Sequence, residues 1–227
     1  MQNTKNSENN VVAIIVTAFK LLVICAFIAV LVASVNALTK GRIEHNRKMN
    51  TAAALSEIYS IEGKYFSVNE TGSFAVANAA GDPVGACENV NVQLLKDIDA
   101  VYVIKNNDGS VSGYCVEASP MGFKDEIKML VAVNSNGTAK GVKIVSISDT
   151  KGTGDKVTKD SFLNKFKNKV NGFSKNASDM KDIIIAGATR SSEPVTLAVD
   201  TALSQISLII NGEPVPGETT DGGADNE

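Results

Sequence analysis

The chain has 227 residues with a formal net charge of -3, contains no tryptophan, and is 44% hydrophobic. This length favours one soluble domain, and the mild acidity disfavours nucleic-acid binding, for which a basic face is expected. The single histidine, His45, disfavours the common zinc sites and a histidine-based hydrolase. We therefore predict no metal site.

The first predicted element is an apolar helix near the N-terminus. Residues 11–38 contain a single charged residue, Lys20. As a helix they would extend roughly 42 Å, which exceeds the ~30 Å hydrocarbon core of a bilayer. We predict a transmembrane helix over residues 11–39, in contact with the lipid bilayer, after an N-terminal tail of residues 1–10. A cleaved signal peptide is disfavoured because its apolar region spans only about 7–15 residues.

The basic residues on the two sides of this span bear on its orientation. Those that follow the span are Lys40, Arg42, Arg47 and Lys48, whereas Lys5 and Lys20 lie before or at its start. Counting them places the C-terminal side in the cytoplasm. Because this rule weakens when a large domain follows, the orientation stays open at this point.

Residues 40–63 form a second predicted helical segment. Its apolar residues lie roughly on one stripe: Ile43, Met49, Ala52, Ala53, Ile58 and Tyr59. We assign it as a stalk helix that continues the membrane helix. The alternative is that it is simply the first helix of the following domain.

The domain over residues 64–210 begins with short strands and turns. Residues 101–105 and 111–116 flank Asn-Asn-Asp-Gly, and residues 127–133 and 142–148 flank Asn-Ser-Asn-Gly. Such turns between segments rich in β-forming residues are typical of β-hairpins. We therefore predict two antiparallel hairpins.

Helical and extended segments complete the domain. Residues 160–170 predict a helix, in which Phe162 and Phe166 are four positions apart and can touch. Residues 182–185 predict a short strand, and apolar residues recur at helical intervals from 195 to 209.

These elements indicate the fold class α+β. A single N-terminal transmembrane helix precedes a soluble domain with a mainly antiparallel sheet and flanking helices. Residues 211–227 contain five acids and no bases, and we predict that this acidic tail is disordered.

Three cysteines are present: Cys25 in the membrane span, and Cys87 and Cys115 in the domain. A disulfide between the latter two would fit an oxidising exterior. Two free thiols fit the sequence equally well, so both alternatives stay open.

The segment DIIIAGATRSSEP, residues 182–194, contains the main candidate site. At a predicted strand-to-helix turn, the free backbone amides and the helix dipole favour an anion, especially a phosphate. Ser191 and Ser192 can cap the helix or donate to phosphate oxygens, and Pro194 suits the first helical turn. The alternative interpretation is an ordinary capped helix.

Residues 186–192, AGATRSS, resemble the flavinylation motif of the FMN-binding domain family, Ser/Thr-Gly-Ala-Thr-x-Ser/Thr. The resemblance implies that Thr189 carries covalent FMN through a phosphoester bond made by a dedicated flavin transferase. It also implies that the rest of the turn binds the cofactor: Gly187, Ala188, Arg190, Ser191 and Ser192. Two departures are Ala186, where the family has Ser or Thr, and Asp182, which lies one residue further from the threonine than the family's aspartate.

A second turn, SDTKGTG over residues 148–154, is similar to the acidic-Thr-x-Gly-x-Gly segment of the G subunits of Rnf complexes. By this resemblance, further cofactor-binding residues are Asp149, Thr150, Gly152, Thr153 and Gly154. Lys151 and Arg190 are candidates for stabilising an anionic reduced flavin. The residues that match a glycine-rich strand connection of that family are Gly113, Gly122 and Phe123, and the membrane helix matches as well.

The resemblance implies a flavoprotein subunit of an ion-pumping electron transport complex. Its covalent FMN would relay electrons between a membrane iron–sulfur centre and another flavin subunit, which couples ferredoxin–NAD redox chemistry to sodium or proton translocation. The chain would bind other membrane and peripheral Rnf subunits and would have no independent turnover. The flavin domain would face the outer side of the cell membrane, contrary to the basic-residue count. The alternatives are the C subunit of the sodium-translocating quinone reductase and a cofactor-free membrane-anchored binding protein.

Overall fold

The computed structural model describes residues 3–69, 72–149, 152 and 154–214. The chain divides into two compact units, residues 1–47 and residues 48–227. Most of the predicted acidic tail, from residue 215 onward, lies outside the described residues.

The first unit is the N-terminal part of one long helix, α1 (Asn3–Tyr59). Over residues 18–36 every side chain is exposed, although most of them are apolar. This part of α1 is long and apolar enough to cross a membrane. A helix that is apolar on all sides needs lipid or partner helices around it. The segment therefore indicates a membrane anchor.

The last turns of α1 belong to the second unit and lie in its core. Ala52, Leu55 and Tyr59 share one helix face, and each is at most 2% exposed. A 3-10 turn, Ser60–Glu62, follows, and Gly63 ends the helix in the left-handed conformation at φ 67°. One continuous helix thus extends from the apolar segment into the domain core.

A seven-stranded antiparallel sheet forms the centre of the second unit, and its strands pair in sequence order. The strands are β1 (Tyr65–Val68), β2 (Phe74–Ala77), β3 (Pro83–Asn89), β4 (Ile98–Asn106), β5 (Val111–Ala118), β6 (Lys128–Asn134) and β7 (Ala139–Ser146). Both predicted hairpins are confirmed as β4–β5 and β6–β7. In each turn the glycine has a positive φ, 82° at Gly109 and 83° at Gly137, which is the conformation that glycine adopts without steric cost.

Both faces of the sheet are covered. On β6, Met129, Val131 and Val133 face one hydrophobic cluster, and the alternate residues Leu130 and Ala132 face the other. The first cluster is completed by α4 (Thr189–Asn211) and the second by the end of α1. By length and composition α4 could also cross a membrane, but its burial is that of a core helix.

The two cysteines of the domain are free thiols. Cys87 lies on β3 and Cys115 on β5, with β4 between them. Strands that are two apart are separated by about 10 Å, which is beyond the Cα distance that a disulfide spans. Burial raises the pKa of Cys87 to about 12 and holds that of Cys115 well above its ordinary value, so both thiols are protonated and unreactive.

Two of the predicted elements after the sheet are wrong in part or in full. The predicted helix over residues 160–170 is a single α-turn, α2 (Asp160–Leu163), followed by a 3-10 turn, and the chain leaves the helical conformation at Lys167, with a ψ of 134°. Phe162 and Phe166 nevertheless touch, with ring centroids 5.1 Å apart. The predicted strand over residues 182–185 is wrong, since Asp182 and Ile183 end a helix, α3 (Ala177–Ile183).

The turn between α3 and α4 is therefore a helix-to-helix connection rather than a strand-to-helix one. Asn176 caps α3 by accepting a hydrogen bond from the amide of Ser178, a role that asparagine commonly has at helix starts. The predicted final helix is confirmed as α4, although it begins at Thr189, before the apolar repeat from Val195.

Candidate functional site: a cavity at the N-terminus of α4

The connection from α3 to α4 exposes the first amides of α4. Gly187 adopts a φ of 78°, and the amide of Ala188 donates to the carbonyl of Ile185 at 2.9 Å. Ala188 precedes the helix and provides no side-chain cap. Among the described residues, the amides of Thr189 and Arg190 have no hydrogen-bond acceptor. Such free amides, together with the helix dipole, form a positive end that suits an anion.

Ser192 stabilises the turn through two hydrogen bonds to its backbone. Its side chain is fully buried, and its hydroxyl donates to the carbonyl of Ala188 at 3.0 Å. The same oxygen accepts a hydrogen bond from the amide of Ile185 at 3.1 Å. Ser192 therefore does not cap α4, as the sequence had allowed, because Ala188 is the N-cap residue and has no side-chain cap; its hydroxyl bonds the backbone of the turn instead.

A cavity of about 340 Å³ lies at this end of α4. Its lining consists of Gly187, Ala188, Thr189, Arg190 and Ser191 around the start of α4, together with Phe123 and Gly154 from two other segments of the chain. Thr189 and Arg190 are exposed, and the Arg190 guanidinium lies 5.7 Å from the centre of the Phe123 ring. The cavity thus joins the two stretches that were predicted separately, residues 186–192 and residues 148–154.

Asp149 is not among the lining residues, but it connects the start of α4 to the loop that carries Phe123. Its Oδ2 accepts a hydrogen bond from the Ser191 hydroxyl at 2.6 Å and a longer one from the amide of Phe123 at 3.3 Å. Its Oδ1 accepts a hydrogen bond from the amide of Lys124 at 2.9 Å. Desolvation raises the pKa of Asp149, but the hydrogen bonds from Ser191, Lys124 and Phe123 outweigh it, so the pKa lies below its ordinary value.

Gly154 allows this close approach. A Cβ atom at position 154 would lie 2.5 Å from the Cβ of Asp149 and 3.0 Å from the hydroxyl oxygen of Ser191. Any side chain at this position would therefore separate Asp149 from α4. The requirement for glycine here is steric, because Gly154 is not among the residues with a positive φ.

This arrangement suits a phosphate group. The residues with free amides, Thr189 and Arg190, and the Arg190 cation line the cavity, whereas the carboxylate of Asp149 does not line it and is occupied by three hydrogen-bond donors. In the described ranges, no group of three or more His, Cys, Asp or Glu side chains is placed to hold a metal ion.

Comparison with known proteins shows which family this chain belongs to. Residues 122–204 match the FMN-binding domain, and residues 5–58 match the RnfG N-terminal region. The G subunit of the proton-translocating ferredoxin:NAD(+) oxidoreductase complex of Clostridium ljungdahlii is 31% identical over 150 residues, which cover 58% of this chain and 80% of that protein. The chain belongs to the RnfG family.

Two further similar proteins match a larger and a smaller share of the chain. The G subunit of the Na(+)-translocating ferredoxin:NAD(+) oxidoreductase complex of Acetobacterium woodii is 27% identical over 191 residues, or 81% of this chain and 86% of that protein. The crystal structure of Shewanella oneidensis NqrC matches 50% of this chain and 59% of its own, with a TM-score of 0.40 and 24% identity. The FMN-binding domain match includes every residue that lines the cavity.

Some predicted site residues of this RnfG-family chain lie apart from the cavity or outside the described residues. Thr150, Lys151 and Thr153 are outside them. Gly152 is described, with a φ of 82° and an amide that donates to Oδ1 of Asp155 at 2.7 Å, but it does not line the cavity. Gly113 packs within the sheet, where a Cβ would lie 2.6 Å from the carbonyl oxygen of Val133.

Phe123 lines the cavity although the sequence offered it only as part of a strand connection. It is 56% exposed, so its ring is accessible from the cavity. It follows Gly122, where a Cβ would lie 2.8 Å from the Ile127 side chain and 2.9 Å from the carbonyl oxygen of Asp125. An aromatic residue after a sterically required glycine in a loop is the signal that could have identified it.

Proposed function

We propose that the chain is the membrane-anchored flavoprotein subunit of an ion-translocating electron transport complex and carries FMN esterified through its phosphate to Thr189. It relays electrons between a membrane iron–sulfur centre and another flavin subunit. This couples ferredoxin–NAD redox chemistry to translocation of sodium ions or protons, the two ions named for the relatives. Other Rnf subunits are its partners, a flavin transferase is needed for its maturation, and the chain has no independent turnover.

The position of the Thr189 hydroxyl is the observation that supports covalent attachment. Thr189 is the first residue of α4, is exposed, and lines the cavity. Its hydroxyl has no hydrogen-bond partner among the described residues, whereas each nearby serine hydroxyl is already bonded. A phosphate esterified there would accept hydrogen bonds from the free amides of Thr189 and Arg190, which no ordinary side-chain cap occupies.

The residues of the site hold and orient the cofactor rather than transfer protons. FMN would supply one- and two-electron redox chemistry when it is bound. The helix terminus and Arg190 would compensate the phosphate charge, and Phe123 would provide an apolar surface in the same cavity. The role of the chain is then to fix the position of the flavin and to influence its potential.

Intact-mass measurement of the full chain, co-expressed with a flavin transferase, tests this assignment. The wild type should gain the mass of one FMN less one water, and Thr189→Ala should gain none while it keeps its circular dichroism spectrum. The matched control is Thr201→Ala, on the same helix, where the hydroxyl is bonded to the carbonyl of Leu197 at 2.9 Å. A colourless wild type of unmodified mass would favour a cofactor-free binding protein, and FMN on Thr189→Ala would place the attachment elsewhere.

We also propose that the flavin domain faces the outer side of the cell membrane, as the family resemblance implies. Asn107→Cys in the exposed β4–β5 turn places a reactive thiol on the domain, whose own cysteines are buried. In intact cells, a membrane-impermeant maleimide should label this variant and leave the wild-type domain unlabelled. Labelling of the variant only after the cells are opened would place the domain in the cytoplasm, as the basic-residue count suggests.

A further inference from the structure

Asp149 connects three parts of the chain that have no sequence continuity. It follows β7, and its carboxylate binds the Ser191 hydroxyl in the first turn of α4. The same carboxylate binds the amides of Phe123 and Lys124 in the loop after β5. The loop that carries Phe123 and the helical turn that carries Thr189, which both line the cavity, are thus linked through one side chain.

The carboxylate is directed at these donors and not at the cavity. Asp149 is not among the residues that line the cavity, and both of its oxygens are occupied. The missing side chain at Gly154 leaves the space in which Asp149 and Ser191 meet. A negative group at this place would repel a phosphate if it were directed into the cavity, so its donors have an electrostatic function as well as a geometric one.

We propose that Asp149 is a positioning residue. It fixes the loop that carries Phe123 against the first turn of α4 and thereby sets the distance between the attachment residue, Thr189, and the Phe123 ring. The inference rests on the proposed function, because it presumes that FMN is tethered to Thr189. It assigns Asp149 and Ser191 to the support of the site rather than to contact with the phosphate. The hydroxyl proton of Ser191 is already donated to Asp149 and is not available to a ligand.

The variants Asp149→Asn and Ser191→Ala break this link from its two sides. Asparagine has an NH2 donor in place of one acceptor oxygen, so either the Lys124 amide or the Phe123 amide loses its acceptor, and the Ser191 hydroxyl loses its charged partner. Ser191→Ala removes only the bond to α4 and leaves the loop amides on Asp149. The matched control is Asp108→Asn, because Asp108 also accepts from a serine hydroxyl, at 2.6 Å, and from the amide of the same serine, Ser110, at 2.9 Å. It lies at the opposite end of β5, about 25 Å away along the strand.

The experiment uses the full chain loaded with FMN by a co-expressed flavin transferase, and it measures three quantities. Intact mass gives the extent of attachment, fluorescence anisotropy gives the mobility of the flavin ring, and visible circular dichroism gives the asymmetry of its surroundings. We expect Asp149→Asn and Ser191→Ala to retain attached FMN with lower anisotropy and weaker visible dichroism. The double variant should lose no more than the more severe single variant, since both changes remove one link. Asp108→Asn should match the wild type.

The outcomes distinguish failure of the proposed function from failure of the positioning role of Asp149. A wild type without FMN would overturn the proposed function and this inference together. A loaded wild type whose anisotropy and dichroism are unchanged by both variants would overturn only the positioning role. Losses that add in the double variant would also overturn it, because they would show two independent effects. If Asp149→Asn does not fold, the anisotropy and visible dichroism of Ser191→Ala alone test the positioning role.

Discussion

Burial separates the three hydroxyl residues at the start of α4 into different roles. Thr189 is exposed on the cavity, whereas Ser191 and Ser192 are at most 2% exposed and use their hydroxyls inside the protein. The sequence shows only that the three residue types are close together. Their roles depend on which side of one helical turn each faces, and that is decided by the packing of α4 against the sheet.

A pH series tests the state of Asp149. Its pKa in the folded protein is lower than the ordinary value of about 3.9. Ionised Asp149 therefore contributes stability above that value, and the contribution is lost as the pH falls through the folded-state pKa. We expect urea unfolding to show that Asp149→Asn is less stable than the wild type at neutral pH by about 1 kcal/mol, a low value for charged hydrogen bonds because the group is partly exposed.

The difference between the two proteins should shrink below about pH 4, since protonated Asp149 then resembles asparagine. Other carboxylates titrate in both proteins and cancel in the difference. A difference in unfolding free energy that stays constant down to pH 3, on the order of one unit below the usual pKa, would show that the Asp149 carboxylate is not stabilised by its donors.

At the scale of secondary structure, the hairpins were predictable from sequence and the connection before α4 was not. Each predicted hairpin has a local signal, an Asn-x-x-Gly turn whose glycine takes a positive φ at Gly109 or Gly137. Residues 182–185 gave a misleading signal, because three consecutive isoleucines favour a strand. Here Ile183 ends α3 and is buried in the core under α4, so tertiary packing outweighs the local preference.

The candidate site was predictable to a similar extent. The sequence located both segments of the cavity, because glycines, hydroxyls and a helix start are local features. The contact between Asp149 and Ser191 joins positions that are 42 residues apart, and no spacing in one sequence reveals it. Phe123 was missed as a lining residue for the same reason, since its role depends on the loop facing Arg190.

The turn between α3 and α4 should tolerate the loss of a hydroxyl better than a change in backbone conformation. A Cβ at Gly187 would meet no atom of the described protein within 4 Å, but the φ of 78° is unfavourable for a β-branched residue. We expect Gly187→Val to cost on the order of 1–3 kcal/mol and to retain less flavin than Ser192→Ala. Flavin content per protein, measured by absorbance after acid precipitation, compares the two.

Gly109→Val is the control for backbone strain alone. Gly109 has a φ of 82° and no neighbour within 4 Å of a Cβ, but it lies in the β4–β5 turn. Gly109→Val should lower the thermal stability about as much as Gly187→Val does and leave the flavin content unchanged. Equal flavin content in Gly187→Val and Ser192→Ala would contradict a special role for the conformation of the turn.

At the scale of the whole molecule, α1 contributes to two units with different surroundings. Its apolar segment is exposed over residues 18–36, whereas Leu55 and Tyr59 are fully buried in the domain. The last turns of α1 thus belong to the domain, and a stalk role for the turns before Lys48 stays a prediction. The boundary between the two units, before Lys48, predicts where the chain can be truncated to remove the apolar segment and keep the domain.

A fragment of residues 48–227 should fold without the anchor, because it retains Ala52, Leu55 and Tyr59 in its core. A fragment of residues 63–227 should fail to fold. It lacks these side chains and exposes the face of the sheet that holds Ile104 and Leu130. Full burial of one large apolar side chain is worth about 1.5–3 kcal/mol, and domains are stable by only about 5–15 kcal/mol in total.

Thermal unfolding monitored by circular dichroism compares the two fragments in the absence of detergent. The longer fragment should remain soluble and unfold in one cooperative transition, and the shorter one should show no transition or aggregate. If both fragments unfold with the same midpoint, the end of α1 does not belong to the domain core and acts only as a stalk. If the longer fragment also fails to fold, the domain depends on residues before Lys48, and the anchor has a folding role beyond attachment to the membrane.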